Sequence, residues 1–138
     1  MAINGNINKL FVPYEIALKL KEKGFDEECF GNYDCWSKNE SARLMIGVYP
    51  YFLGQEYAKR FDKTCILAPL YQQVIDFLET CGIYIRTYPS LLSYPMWWDW
   101  ELQIKLPYKI ISSKDDEQYK NKYEALNKAI EEALKHIP

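Results

Sequence analysis

The stretch Trp97–Leu106, WWDWELQIKL, decides the fold class because its side chains alternate with a period of two. The apolar set is Trp98, Trp100, Leu102, Ile104 and Leu106. The other set is Trp97, Asp99, Glu101, Gln103 and Lys105. Successive side chains of a strand point to opposite faces of the sheet, so the pattern predicts an antiparallel strand with one dry face and one wet face.

Other segments supply strands that could pair with this one. Residues 83–88 alternate in the same way and predict a strand directly before it in the chain. Residues 28–37 and 42–49 flank the turn sequence SKNES, which predicts a hairpin. The short apolar run at residues 65–67 leaves one further strand open.

Three segments predict helices. Residues 13–24 and 69–82 each begin with Pro, end with Gly and carry apolar residues at helical spacing. The third helix is expected to use Ser112 or Ser113 as its N-cap. Its apolar stripe has a spacing of about 3.6 residues. The stripe consists of Tyr119, Tyr123, Leu126, Ile130, Ala133, Leu134 and Ile137.

These elements predict an α+β fold. We expect a two-layer sandwich in which an about four-stranded, mainly antiparallel sheet carries three helices on one face, in the order α-β-β-α-β-β-α. A length of 138 residues fits one domain, residues 1–138, with residues 1–10 as a loose leader. The order of a helix that begins with Pro, a Gly and a pair of strands occurs twice along the chain. Two explanations stay open: an ancient duplication, and the frequent use of Pro and Gly at helix ends.

Charge and hydropathy limit the partners and the location. The chain carries 17 basic and 19 acidic residues, spread without a basic block, which argues against nucleic acid as a partner. The N-terminus lacks the pattern of a signal peptide, and no apolar run approaches the roughly 20 residues that span a bilayer. We therefore expect a cytoplasmic protein with no membrane partner.

The motifs of common catalytic and cofactor sites are missing from the sequence. His136 is the single histidine, which argues against a histidine-based triad. The glycines stand too far apart for a phosphate-binding loop. The cysteines Cys29, Cys35, Cys65 and Cys81 lack the close pairs that zinc sites use and are expected to be free thiols. The sequence thus predicts no catalytic residue, no metal and no cofactor, and it leans against an enzyme.

Aromatic residues supply the candidate site. Four of them crowd residues 94–100, and Trp and Tyr dominate the hot spots of protein interfaces. The predicted binding residues are Tyr84, Tyr88, Tyr94, Trp97, Asp99 and Glu101. The alternative interpretation of the aromatic cluster is sheet core with an aromatic edge. A further alternative places Asp34 across the sheet from Asp99 and Glu101, so that the three acids form a carboxylate site. The competing interpretation is that these acids belong to a solvated, charged sheet face with no site.

Three segments also carry a family resemblance. FVPYEIALKLKEKGFDEECFG (11–31), APLYQQVIDFL (68–78) and YEALNKAIEEAL (123–134) resemble a group of small proteins found in Bacteroides-type gut bacteria, their prophages and phages. The resemblance implies a mobile-element context and a cytoplasmic life in the bacterial host. It implies no activity, cofactor or catalytic residue.

The predicted function is a non-enzymatic binding protein, phage- or prophage-encoded, that acts through protein contacts on an aromatic-rich sheet face. A binder of small molecules or carbohydrates, or a weak enzyme that uses the sheet-face carboxylates, is the alternative. A nucleic-acid accessory factor is the third hypothesis.

Overall fold

The structure is a computed structural model that describes residues 7–34, 42–47, 66–91, 96–114 and 117–138. The chain divides into two compact units, Met1–Val74 and Ile75–Pro138. The expectation of a single domain, with a loose leader, stays a prediction.

The first unit begins with a short 3-10 turn, Asn8–Leu10, and a helix α1, Tyr14–Glu22. Pro13 stands at the N-cap, where its missing N–H costs nothing. Gly24 has φ +88°, the left-handed conformation that commonly ends a helix. The prediction of a helix bounded by Pro13 and Gly24 is confirmed.

The described residues of the first unit form a sheet of three antiparallel strands: β1, Gly31–Asp34; β2, Arg43–Ile46; and β3, Ile66–Ala68. Their order is β2-β1-β3. The hairpin predicted at 28–37 and 42–49 is confirmed as β1 and β2, in shorter form. The remaining residues of that hairpin at 35–41 and 48–49 lie outside the described residues.

One buried tyrosine links this sheet to the residue before the N-cap of α1 by a hydrogen bond. The Tyr33 hydroxyl donates a hydrogen bond of 2.6 Å to the carbonyl oxygen of Val12. Burial, and to a lesser degree the charge of Glu15, raises the Tyr33 pKa. The phenol therefore remains a neutral donor within a core that includes Ile16 and Leu20.

The second helix, α2, spans Tyr71–Thr80, and the division between the two units falls within it. Pro69 precedes it, and Gly82 follows it with φ +78°. The prediction of a second helix over residues 69–82 is confirmed. Val74 and Leu78, four residues apart on one helical face, are both fully buried.

In the second unit, the parts that the structure describes form three antiparallel strands: β4, Ile83–Ser90; β5, Trp97–Ile104; and β6, Lys109–Ser112. Their order is β4-β5-β6. The third helix, α3, spans Lys122–Leu134 and packs on β4 and β5. Small side chains on α3 let the helix approach the sheet closely. They are the fully buried Ala125, Ala129 and Ala133.

The α+β class, the three helices and the antiparallel pairing are confirmed. The described residues form six strands in two three-stranded sheets, rather than about four strands in one sheet. β3 has three residues and β6 has four, too few for alternation to show clearly. The order of the described elements is therefore α-β-β-β-α-β-β-β-α.

The two sheets differ in which strand is central. In the first unit the central strand is β1, which comes first in sequence among β1, β2 and β3. In the second unit it is β5, which comes second among β4, β5 and β6. Among the described strands, the repeated pattern of helix, Gly and strands thus does not extend to sheet topology. This favours the frequent use of Pro and Gly at helix ends over a duplication.

The predicted N-cap of α3 is wrong. Ser112 belongs to β6, and the Ser113 hydroxyl bonds back to β5. The N-cap is Asn121, nine residues after Ser112, and α3 begins at Lys122. The Oδ1 atom of Asn121 accepts hydrogen bonds of 3.0 Å from the N–H groups of Tyr123 and Glu124. Serine suits strand ends as well as helix caps, so residue type alone did not place the boundary.

Replacing Asn121 by Ala should lower the free energy of unfolding of the second unit by about 1 kcal/mol, because two N–H groups lose their acceptor. Urea denaturation followed by far-UV circular dichroism measures the change. Asn121→Ser keeps an acceptor oxygen and should stay within about 0.5 kcal/mol of the wild type. Equal losses in the two variants would show that the cap oxygen does not stabilise α3.

Candidate binding surface

The second sheet has one face that points away from α3, which we call the open face. Trp100, Leu102 and Ile104 lie on the covered face and are buried, as the alternation predicted. The strand register then places the intervening residues on the open face. They are Tyr84, Arg86, Tyr88, Ser90, Trp97, Asp99, Glu101, Gln103, Ile110 and Ser112.

Five of the six predicted binding residues lie together on the open face: Tyr84, Tyr88, Trp97, Asp99 and Glu101. Tyr88 is directly opposite Asp99. Tyr84 is exposed and the other four are half-buried. The sixth residue, Tyr94, lies outside the described residues. The structure thus brings the five described candidates onto one surface, and their role in binding stays a prediction.

Local contacts organise the polar side chains of this face. The Arg86 guanidinium lies 4.9 Å from the centre of the Tyr88 ring, a cation–π distance. Gln103 Nε2 donates to Glu101 Oε1 at 3.3 Å. The Ser113 hydroxyl donates to Asp99 Oδ1 at 3.2 Å. Each carboxylate therefore has a neutral donor, and Arg86 lies cross-strand from Glu101.

The expected placement of Asp34 across the sheet from Asp99 and Glu101 is wrong. Asp34 belongs to β1 in the first sheet, whereas the two other acids belong to β5 in the second. The error follows from assigning both hairpins to one sheet. In the parts of the chain that the structure describes, no three Asp, Glu, His or Cys side chains come together as a metal site.

Sequence reasoning missed a group of exposed apolar residues around the turn between β5 and β6. Leu106, Tyr108 and Ile110 are exposed by 86%, 74% and 49% of their surfaces. With Tyr84, which lies in the same cross-strand row as Ile110, they form a set that we call the apolar end. Leu106 was expected on the dry face, but β5 ends at Ile104 and Leu106 lies in the following turn.

A sequence signal for the apolar end exists. Leu106, Tyr108 and Ile110 alternate with Pro107 and Lys109, so they share the period of two with β5. The proline interrupts the pattern, and four residues of turn separate β5 from β6. Extending the alternation of β5 through this turn therefore led to the prediction that Leu106 lies on the dry face, whereas Leu106 is exposed.

Hydrogen bonds link Tyr119 to Glu117 and to Trp98 of the covered face. The Tyr119 hydroxyl donates to Glu117 Oε2 at 2.8 Å, and Trp98 N donates to the carbonyl of Tyr119 at 2.8 Å. Burial and then this bond to Glu117 raise the Tyr119 pKa to about 12. The buried Trp100 indole N–H lies near the phenol and acts in the opposite direction, without meeting hydrogen-bond geometry.

The two described cysteines are free thiols in different environments. Cys29 is fully buried, its Sγ donates to the Glu27 carbonyl at 3.3 Å, and burial together with the charge of Glu27 raises its pKa to about 12. Cys81 is exposed after α2. Cys35 and Cys65 lie outside the described residues. A raised pKa opposes nucleophilic chemistry at Cys29, since the thiolate is the reactive form.

Comparison with protein families, curated proteins and solved structures finds no match to this chain. Within the described ranges, no helix has the length and apolar character needed to cross a membrane. The open face and its apolar end therefore carry the functional argument by themselves.

Proposed function

We propose that this chain is a non-enzymatic binding protein that contacts another protein through the open face and its apolar end. The observation that carries the proposal is the exposure of Leu106, Tyr108 and Ile110 beside a face lined by aromatic residues. Exposed apolar groups beside Tyr84, on a face that also carries Tyr88 and Trp97, match the aromatic and apolar composition that is enriched in protein interfaces.

The charges on the open face include a central row, Arg86 and Glu101, between the row of Tyr88 and Asp99 and the row of Tyr84 and Ile110. Arg86 and Glu101 lie opposite each other, and both acids already have neutral hydrogen-bond donors. Such groups tune specificity and the association rate more than affinity. The binding energy is therefore assigned to the aromatic and aliphatic side chains.

A carbohydrate or small-molecule site is the second candidate. Its support is the position of Asp99 opposite Tyr88 on the open face, with Glu101 two residues along the same strand. An aromatic ring next to carboxylates suits the stacking and hydrogen bonding of a sugar. The separate sheet of Asp34 removes one of the three acids that this alternative used.

The proposal includes a setting and an architecture. A phage- or prophage-encoded protein in the bacterial cytoplasm follows from the resemblance of its three segments. A two-layer arrangement of the whole chain, with three helices on one face of its strands, would leave the opposite face free for a partner.

Replacing Trp97 by Ala should weaken capture of the partner by about 30-fold or more, because a hot-spot side chain contributes upward of 2 kcal/mol. The experiment is a pull-down from host lysate with tagged protein, followed by titration of the recovered partner against each purified variant. The melting temperature should change little, since Trp97 is half-buried on the open face.

Two further variants supply a second test of the surface and a control. Tyr108→Ala tests the apolar end and should also weaken capture. Leu10→Ala removes a side chain of the first unit that is 49% exposed, and it should leave capture unchanged. If Trp97→Ala unfolds the protein, or if Leu10→Ala weakens capture equally, the open face is not the binding surface.

A further inference from the structure

The direction of the backbone groups in the second sheet follows from two hydrogen bonds. Ser113 N donates to the Trp100 carbonyl at 2.9 Å, on the side of β5 that faces β6. Lys105 N donates to the Gly82 carbonyl at 2.9 Å, on the side that faces β4. Backbone groups alternate along an antiparallel strand. The even-numbered residues of β5 therefore bond to β6 and the odd-numbered residues bond to β4.

This alternation fixes which groups of β6 remain at the edge of the sheet. Lys109 and Ile111 lie opposite Ile104 and Leu102, so their N–H and C=O groups point toward β5. Those of Ile110 and Ser112 point outward. No hydrogen bond found among the described residues uses these outward groups. β6 is thus an open edge of the described sheet, and Ile110 and Ser112 are both exposed.

We propose that β6 pairs antiparallel with β6 of a second copy of this chain, about a two-fold axis at Ile111. This register places Ile110 opposite Ser112 of the second copy, and Ser112 opposite Ile110 of the second copy. Each opposed pair exchanges two backbone hydrogen bonds, so every outward N–H and C=O group of β6 gains a partner. The two sheets become one continuous sheet across the axis.

The side chains of β6 are compatible with this register. Ile111 meets its own counterpart at a close, non-hydrogen-bonded position, where β-branched pairs pack well. Because Leu102 is the cross-strand neighbour of Ile111, an apolar row runs unbroken across the axis. Lys109 lies opposite Ser113 of the second copy, so no like charges are directly opposed.

The other edge of this sheet, β4, is a weaker candidate. Its outward positions are the odd-numbered residues, by the same alternation. Among them Pro89 has no N–H to donate, and Ile83 is 2% exposed. Natural sheets guard edges with features of this kind. β6 has neither, which selects it for pairing. The pairing uses backbone groups at the edge of the sheet, whereas the proposed function uses side chains of the open face, and the two share the residue Ile110.

The test is sedimentation equilibrium of the full chain from low micromolar concentration up to about 1 mM. We expect the wild type to form a dimer whose population rises with concentration. Ile110→Pro deletes one outward N–H in each copy and leaves the β5–β6 hydrogen bonds intact, because the N–H of Ile110 does not point to β5. It should raise the dimer dissociation constant by about 30-fold, since two hydrogen bonds are lost per dimer.

Ile110→Ala is the matched control, because it removes the side chain and retains the N–H. It should dimerise within about threefold of the wild type, since the register relies on the backbone. If both variants lose the dimer equally, the association belongs to the Ile110 side chain and the pairing is wrong. A wild type that stays monomeric throughout also overturns it, and would leave this edge to a foreign extended peptide.

Amide hydrogen exchange keeps the test decisive if Ile110→Pro fails to fold. In the wild type, the N–H groups of Ile110 and Ser112 should exchange quickly in dilute solution and slowly in concentrated solution. The inward N–H groups of Lys109 and Ile111 serve as internal controls and should be protected in both. Exchange at Ile110 and Ser112 that does not depend on concentration would contradict the pairing.

Discussion

Replacing Leu102 by Ala should lower the free energy of unfolding of the second unit by about 3 kcal/mol. Leu102 is fully buried at the centre of β5, between Ile85 on β4 and Ile111 on β6, on the face that α3 covers. Truncation removes three buried carbons and leaves a cavity that a β-sheet cannot easily close. For a unit of this size, the loss corresponds to a fall in melting temperature of about 15 °C.

Tryptophan fluorescence during urea unfolding reports this change directly, because three of the four tryptophans lie in β5. Gln103→Ala is the matched control. Gln103 neighbours Leu102 in the chain but is exposed on the open face, so its loss should stay within about 0.5 kcal/mol. A Leu102→Ala variant as stable as Gln103→Ala would show that the two faces of β5 are assigned the wrong way round.

The helices and the longest strands could be predicted from the sequence because their signals are local. Pro13 with Gly24, and Pro69 with Gly82, bracket α1 and α2 through backbone preferences that need no tertiary context. The alternation of Trp97–Ile104 likewise depends only on one dry and one wet face. Asn121 shows the limit of such signals, since several polar residues before α3 could have capped it.

The pairing of strands could not be predicted in the same way. Alternation tells which side chains share a face, but it does not tell which strand lies next to which. That gap produced one sheet where the structure has two, and it placed Asp34 beside acids of the other sheet. Within the second unit the neighbours are consecutive in sequence, so the open-face residues were found together.

The apolar end was missed for a related reason. The sequence predicts burial from apolar character, and Leu106 carries the same signal as the buried Ile104. Only the end of β5 at Ile104 separates them. A residue that is apolar and yet exposed becomes visible as a binding candidate only after the strand boundary is known.

Alkylation at pH 8 should label Cys81 readily and leave Cys29 almost unlabelled, with rates that differ by about a thousandfold or more. Cys81 is exposed, whereas the Cys29 side chain is fully buried. Burial raises the Cys29 pKa from 9.0 to about 12, with a further contribution from Glu27. At pH 8 such a thiol is ionised to about one part in ten thousand. Iodoacetamide labelling with peptide-level mass spectrometry resolves the two sites.

The raised pKa also gives the sign of a pH effect. Folding favours the protonated Cys29 thiol, so its contribution to stability is fully present below pH 9 and is lost as the pH rises toward 12. Cys29→Ala removes this titration, so its stability relative to the wild type should improve across that window. In urea, where Cys29 is exposed, both cysteines should label at similar rates. Fast labelling of Cys29 in the folded protein at pH 8 would instead mean that the segment between α1 and β1 opens readily, and that the first unit is not closed around this thiol.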